Sequence, residues 1–255
     1  MCRIAAYAGE PISLHRFLQQ PPHSLFRQSW AAREMRDAAV NADGFGVGWY
    51  DDQDRPARYL NTVPVWTDPN LADLGRCLRS GCWIGNVRSA TDGMQAGYAS
   101  TQPFCAPPWL FVHNGYLGEF TALRPRLNRL LPDALQGAMA GTTDSEYLFS
   151  LWQMQQQRLG HPLAALAATA QTIQTLAPRA KHLLSITVTD GRVLYALRHA
   201  LNAPAPSLYH AAATASWPGG VAVASEPVDA ADWQTVPAHA LLELAPGHQA
   251  QLTPL

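Results

Sequence analysis

Met1-Cys2-Arg3-Ile4-Ala5-Ala6-Tyr7-Ala8-Gly9 opens the chain. Residues 2–8 are mostly small, aliphatic or aromatic, with no breaker before Gly9, which makes them a strand. A cysteine stands at the head of that strand, directly behind the initiator methionine. Methionine aminopeptidase removes Met1 when the next residue is small, so the mature chain is expected to begin with Cys2. One residue then holds both a thiol and a free α-amine. The unperturbed pKa of such an amine is roughly 7.7–8.0, so much of it is neutral close to neutral pH. It can take the thiol proton, which puts nucleophile and base on the same residue.

Outward from this strand the pattern is mixed. A short helical piece covers residues 13–18. Residues 44–50 (GFGVGWY) are strand-like, and their glycines suggest close backbone approach. A polar turn at 51–55 leads to a second strand at 57–60. Leu71, Leu74 and Leu78 set a helix over 69–79. Buried strands follow at 83–87 and 109–112, separated by a turn-rich loop over 89–108. Thr142, Thr143 and Asp144 are good capping residues for a helix over 145–158. Pro162 stands in the first turn of a helix over 162–176. After Pro178 the texture turns to strands at 182–189, 192–198, 207–211, 220–224 and 241–244, with Asp190-Gly191 as a hairpin signal. Strands at both ends with helices between them predict one mixed α/β domain of stacked layers over residues 2–255.

Composition excludes several classes of partner. Charged residues make up 15% of the 255 and the formal net charge is −1. Lys181 is the only lysine, so nucleic acid and polybasic membrane binding have no electrostatic footprint. No apolar stretch approaches the roughly 18–20 residues of a membrane span, and no signal peptide is legible. Cys2, Cys77, Cys82 and Cys105 form no CxxC pair and have no zinc-like histidine spacing. They read as free thiols of a cytoplasmic protein. No metal and no cofactor is expected, and oligomeric state stays open.

Four segments stand out beside Cys2: Asn41-Ala42-Asp43-Gly44-Phe45-Gly46, Gly85-Asn86-Val87-Arg88-Ser89, His113-Asn114-Gly115, and Thr142-Thr143-Asp144 at a helix start. Each has a plain structural reading. Asn-Gly is most often a turn, here placed directly after the apolar run 109–112. An Asp before a helix is usually a cap, and an Arg at a strand end is usually in a surface ion pair. NADGFG lacks the spacing of a phosphate loop or dinucleotide fingerprint.

Taken together, Cys2, Arg88, His113-Asn114-Gly115 and Asp144 resemble the N-terminal-nucleophile glutaminase domain of class II glutamine amidotransferases. The resemblance implies a four-layer αββα sandwich with mostly antiparallel sheets. It implies Cys2 as nucleophile, an oxyanion hole from the Asn114 amide and the Gly115 N–H, and a glutamate head gripped by Arg88 at the carboxylate and Asp144 at the ammonium. His113 belongs to the same substrate-binding segment, with a structural role as its simplest reading. A rigid guanidinium fork suits a carboxylate, and preorganised donors suit a developing oxyanion.

Within that family the chain looks most like the ergothioneine-biosynthesis branch, the γ-glutamyl-hercynylcysteine sulfoxide hydrolases. The strings that carry this are PPHSLFRQSW (21–30), VNADGFGVGWY (40–50), VRSATDGM (87–94), FVHNGYLGEF (111–120) and VASEPVDAADWQTVP (223–237). The implied substrate is a small γ-glutamyl conjugate, with Trp30 or Trp49 as candidates to face its leaving group. Ser89 and Asp92 depart from the arginine loop of ammonia-channelling members, and the length is that of a stand-alone unit. The alternatives are a glutaminase subunit feeding ammonia to a separate synthase, and a non-catalytic regulatory protein. Glutamine turnover that rises with a partner marks the first; loss of the nucleophile or clamps would mark the second.

Overall fold

The computed structural model describes residues 2–35, 40–89 and 97–255. Two antiparallel sheets form its centre. The first has seven strands: β1 (Arg3–Ser13), β2 (Phe45–Tyr50), β3 (Pro56–Asn61), β4 (Arg79–Val87), β9 (Tyr209–Ala212), β10 (Gly220–Ala224) and β11 (Gln234–Thr235), in the order β11-β9-β10-β1-β4-β2-β3. The second has six: β5 (Phe104–Ala106), β6 (Trp109–Leu117), β7 (His182–Thr189), β8 (Leu194–Leu201), β12 (Ala240–Leu244) and β13 (Gln251–Pro254), in the order β13-β12-β8-β7-β6-β5. The N-terminal strand is therefore central, between β4 and β10.

Strand alternation builds the layers. Ile4, Ala6 and Ala8 of β1 pack with Ile84, Val223, Leu110, Val112 and Leu242 to form the core between the sheets. Their neighbours Ala5 and Tyr7 point the other way, against helices α1 (Leu14–Leu18), α2 (Leu25–Ala31) and α3 (Leu71–Cys77). On the far side, Phe111, Leu184, Ile186 and Leu197 of the second sheet meet Leu148, Trp152, Leu166 and Ile173. Those come from α6 (Asp144–Leu159) and α7 (Pro162–Leu176), beside which lie α4 (Phe120–Leu130) and α5 (Asp133–Ala138). The result is the expected αββα sandwich. Gly46 shows why β2 carries glycines: a Cβ there would strike the Gln102 carbonyl.

Several readings of the sequence change. β1 does not stop before Gly9 but continues to Ser13, with a register shift against β4 between Ala8 and Ile12. Such a bulge tolerates Pro11 because the ladder is interrupted there. His113-Asn114-Gly115 is no turn. It lies inside β6, paired in register with Ile186, Ser185 and Leu184 of β7. Asn-Gly needs two strands ending on it to act as a hairpin, and here the pairing runs through it to Leu117. The loop predicted over 89–108 contains β5, while residues 90–96, and with them Asp92, lie outside the described residues. Helices α2, α4 and α5 were not legible; Pro125 inside α4 argues locally against a helix that the burial of Leu123 and Leu127 holds in place.

Candidate active site

Three strand ends meet at one end of the seven-stranded sheet. Arg3 pairs with Val87 at the end of β4, and Val87 pairs with Phe45 at the start of β2. Cys2, half-buried, lies just ahead of β1 and directs its thiol at the Ser89 carbonyl, 3.7 Å away. Arg88 is buried as it leaves β4. Its backbone is clasped by the segment before β2: Arg88 N donates to the Gly44 carbonyl at 2.9 Å, and Asp43 N donates to the Arg88 carbonyl at 3.0 Å. This clasp is what NADG does in the fold.

The second sheet brings the remaining residues. Alternation along β6 sends Leu110 and Val112 between the sheets, and Asn114, next in the same phase, joins them there. It is fully buried, and its Nδ2 lies 3.4 Å from Ser225 Oγ. Ser225 also accepts from Ile4 N at 3.0 Å, while its own N–H donates to the Ile4 carbonyl at 2.9 Å. Ser225 thus links Asn114 to a residue two places from Cys2, across the sandwich. Asn114 Oδ1 has no hydrogen-bond partner among the described residues. Gly115 is needed by its neighbour strand, since a Cβ would collide with the Leu183 carbonyl.

His113 faces the helical side. Its Nε2 lies 2.9 Å from the Leu183 carbonyl and its Nδ1 2.9 Å from Ser145 Oγ. A carbonyl only accepts, so Nε2 carries the proton and Nδ1 accepts from the serine hydroxyl. Burial holds its pKa below the ordinary histidine value, against the opposing charge of Asp144 and the bond to Leu183. The ring is a neutral tie between β6 and α6. Asp144 completes that tie: Oδ2 accepts from Leu117 N at 2.8 Å and Oδ1 from Ser145 N at 2.7 Å. Thr143, with Oγ accepting from Glu146 N at 3.3 Å, caps α6 and so sets Asp144 in its first turn.

Sequence reasoning missed a second layer of residues. Arg3, Glu226 and His23 form a buried chain of polar contacts, at 3.0 Å from Arg3 Nη1 to Glu226 and 2.7 Å from His23 Nε2 to Glu226. Gln102 braces His113 through both its backbone N–H and its carbonyl. Ser225 and Glu226 stand directly after the apolar run GVAVA, inside the string 223–237 that helped carry the resemblance, which gave them no individual role. The two candidate tryptophans sit among other aromatic rings. Trp49 packs on Trp83 on the helical face of the sheet. It stands four residues beyond Phe45, about 13 Å along the strand. Trp30 meets Phe26 and Trp66 edge-on.

Residues 21–204 match the family described as glutamine amidotransferases class-II. The chain belongs to the class II glutamine amidotransferases. Over its whole length it is 33% identical to the γ-glutamyl-hercynylcysteine sulfoxide hydrolase of Mycolicibacterium smegmatis, which it also covers completely. A probable glutamine amidotransferase of Saccharomyces cerevisiae is 27% identical over 96% of this chain and 82% of its own. Among solved structures, a glutamine aminotransferase class-II domain protein from Silicibacter pomeroyi superposes with a TM-score of 0.75 at 30% identity, covering 100% of this chain and 99% of that one. Cys2, Arg3, Ser225 and Glu226 lie outside the family-matched stretch. No helix among the described residues is long and apolar enough to cross a membrane.

Proposed function

We propose that this amidotransferase hydrolyses the γ-glutamyl amide of γ-glutamyl-hercynylcysteine S-oxide, releasing glutamate, with Cys2 as nucleophile. The observation that carries the reading is the full-length likeness to the M. smegmatis hydrolase. The geometry supports it: a thiol at the head of β1 against the Ser89 carbonyl, Arg88 buried where it leaves the neighbouring strand β4, and a buried Asn114 amide tied through Ser225 to Ile4 of β1.

With Met1 removed, the Cys2 α-amine takes the thiol proton as sulfur attacks the γ-carbonyl carbon. The carbonyl oxygen becomes an oxyanion, held by Asn114 Nδ2 and the Gly115 N–H. Nδ2 has a second proton to give, since its contact with Ser225 uses only one. Collapse breaks the C–N bond and the ammonium passes its proton to the leaving amine, which leaves a γ-glutamyl thioester. Water attacks the thioester in turn, releasing glutamate and restoring the thiol. Arg88 grips the α-carboxylate and Asp144 the α-ammonium. Each Asp144 oxygen retains lone-pair capacity beyond its backbone contacts. His113 positions this frame and does not act as base.

The whole of residues 2–255 serves as one amidotransferase-type unit in the cytoplasm, acting on a small molecule rather than on nucleic acid. Mass-spectrometric comparison of glutamine with the γ-glutamyl-hercynylcysteine sulfoxide tests the reading. The expected result is a higher kcat/KM for the conjugate, whose remote atoms contribute transition-state binding that ammonia cannot. Equal or better turnover of glutamine overturns it in favour of a glutaminase, and an active Cys2→Ala variant overturns the nucleophile.

A further inference from the structure

An N-terminal nucleophile has chain on one side only, and terminal residues fray unless tied down. Strand pairing in β1 begins at Arg3, one residue too late to restrain Cys2. Besides the long contact of its thiol with the Ser89 carbonyl, a side chain holds Cys2: Arg3 Nε donates to the Cys2 carbonyl at 2.7 Å. That hydrogen bond sets the peptide plane between residues 2 and 3, and with it the direction of the Cys2 amine and thiol.

Arg3 is itself 0% exposed, and its fixed position depends on Glu226, 1% exposed, whose Oε1 accepts from Arg3 Nη1 at 3.0 Å. Glu226 also accepts from His23 Nε2 at 2.7 Å, from Arg33 N at 2.9 Å and from Glu34 N at 3.0 Å. Four donors from three separate stretches of chain converge on one carboxylate, which follows the strand β10 that pairs with β1. A buried ion pair is a poor source of net stability, because desolvating two charges offsets most of their attraction, and apolar residues of similar volume often serve the fold as well. Of the bonds that an apolar pair would not supply, the one that reaches the nucleophile is from Arg3 to Cys2.

We infer that Glu226 is a positioning residue for the nucleophile, acting through Arg3 to hold the Cys2 amine and thiol in register with Asn114. This rests on the reading of Cys2 as nucleophile. Glu226 touches no substrate atom. Its carboxylate holds Arg3, and through Arg33 and Glu34 it holds the backbone leading toward the clasp on Arg88.

Two variants separate positioning from mere support. Glu226→Gln keeps the shape but leaves the Arg3 charge uncompensated. Arg3→Met/Glu226→Gln removes both charges while the amide oxygen still accepts on the His23 and Arg33 side, so it is expected to fold with a thermal midpoint near wild type even if the single variant does not. In the double variant kcat should fall about 10²-fold, the scale of a misplaced reacting group, with KM within about twofold. Alkylation of Cys2 by iodoacetamide, followed peptide by peptide, should slow severalfold while that of the exposed Cys77 is unchanged. A folded double variant with wild-type kcat and wild-type Cys2 alkylation overturns the inference. A wild-type protein that leaves γ-glutamyl conjugates intact overturns the hydrolase reading alone, because the alkylation measurement needs no substrate and still decides whether Arg3 and Glu226 position Cys2.

Discussion

At the scale of single residues, Asn114 and Arg88 do different work and should fail differently. Asn114 sits fully buried with one amide proton on Ser225 and its oxygen without a partner among the described residues. A group placed to meet charge that exists only in the transition state contributes to kcat. Asn114→Ala is therefore expected to lower kcat by roughly 10²–10³ with little change in KM, measured by steady-state kinetics on the γ-glutamyl conjugate. A rise in KM at normal kcat would assign Asn114 to ground-state binding instead. Arg88 is assigned to a carboxylate already charged in the ground state. Arg88→Lys replaces a planar fork by a point charge, so binding should weaken markedly. Substrate analogues lacking the α-carboxylate give the check. If losing that group costs wild type and Arg88→Ala equally, Arg88 is not the clamp.

At the scale of elements, the site depends on β6 continuing through His113-Asn114-Gly115 and on α6 starting at Asp144. Gly115 lies against the Leu183 carbonyl, backbone against backbone, where neither strand can yield without breaking its ladder. Gly115→Ala is expected to destabilise the protein by about 1–3 kcal/mol, the usual range for overpacking, read as a lower urea midpoint at unchanged slope. A variant as stable as wild type would mean that the strands are looser than this packing implies. Thr143 holds the first turn of α6 through Glu146 N. Thr143→Ala should cost about 1 kcal/mol, and it should raise KM as well, because Asp144 is carried on the same turn. A stability loss with unchanged KM would separate the cap from the substrate clamp.

At the scale of the whole molecule, β1 pairs with β10, β13 with β12, and the two ends of the chain lie in different sheets. Residues 2–255 should accordingly unfold in one cooperative calorimetric transition; two separable transitions would count against a single unit. Buried titrating groups set its acid limit. His199, beside His239 at 2.8 Å, is lowered from 6.5 to about 4 by burial and then by the histidine charges around it. The unfolded chain binds that proton first, so stability present above about 6.5 is lost as pH falls toward 4. Glu226 is brought from 4.5 to about 2: burial alone would raise it, but the bonds from His23, Arg33 and Glu34 and the Arg3 charge prevail. Its contribution is present above about 4.5 and disappears as pH falls through 2. Thermal midpoints should thus decline in two stages on acidification, and His199→Asn should flatten the first. A midpoint unchanged between pH 7 and pH 4 would refute this.

Local sequence settled what depends on local physics. The breaker-free run of residues 2–8, the capping residues before α6, Pro162 at the start of α7 and Asp190-Gly191 between β7 and β8 act over a few residues, and the elements they predict are present. The residue types at Cys2, Arg88, Asn114 and Asp144 carried the resemblance for the same reason: chemistry restricts which side chains can attack, clamp or donate. Tertiary structure alone decided the rest. Asn114 lies in a strand and not a turn because β7 pairs alongside it, a partner about 70 residues away. Glu226 meets Arg3 across a separation of 223 residues, and no periodicity reports such a contact. The site is assembled by the pairing of β1 between β4 and β10 and by the stacking of two sheets, and those are long-range consequences of burying both faces at once.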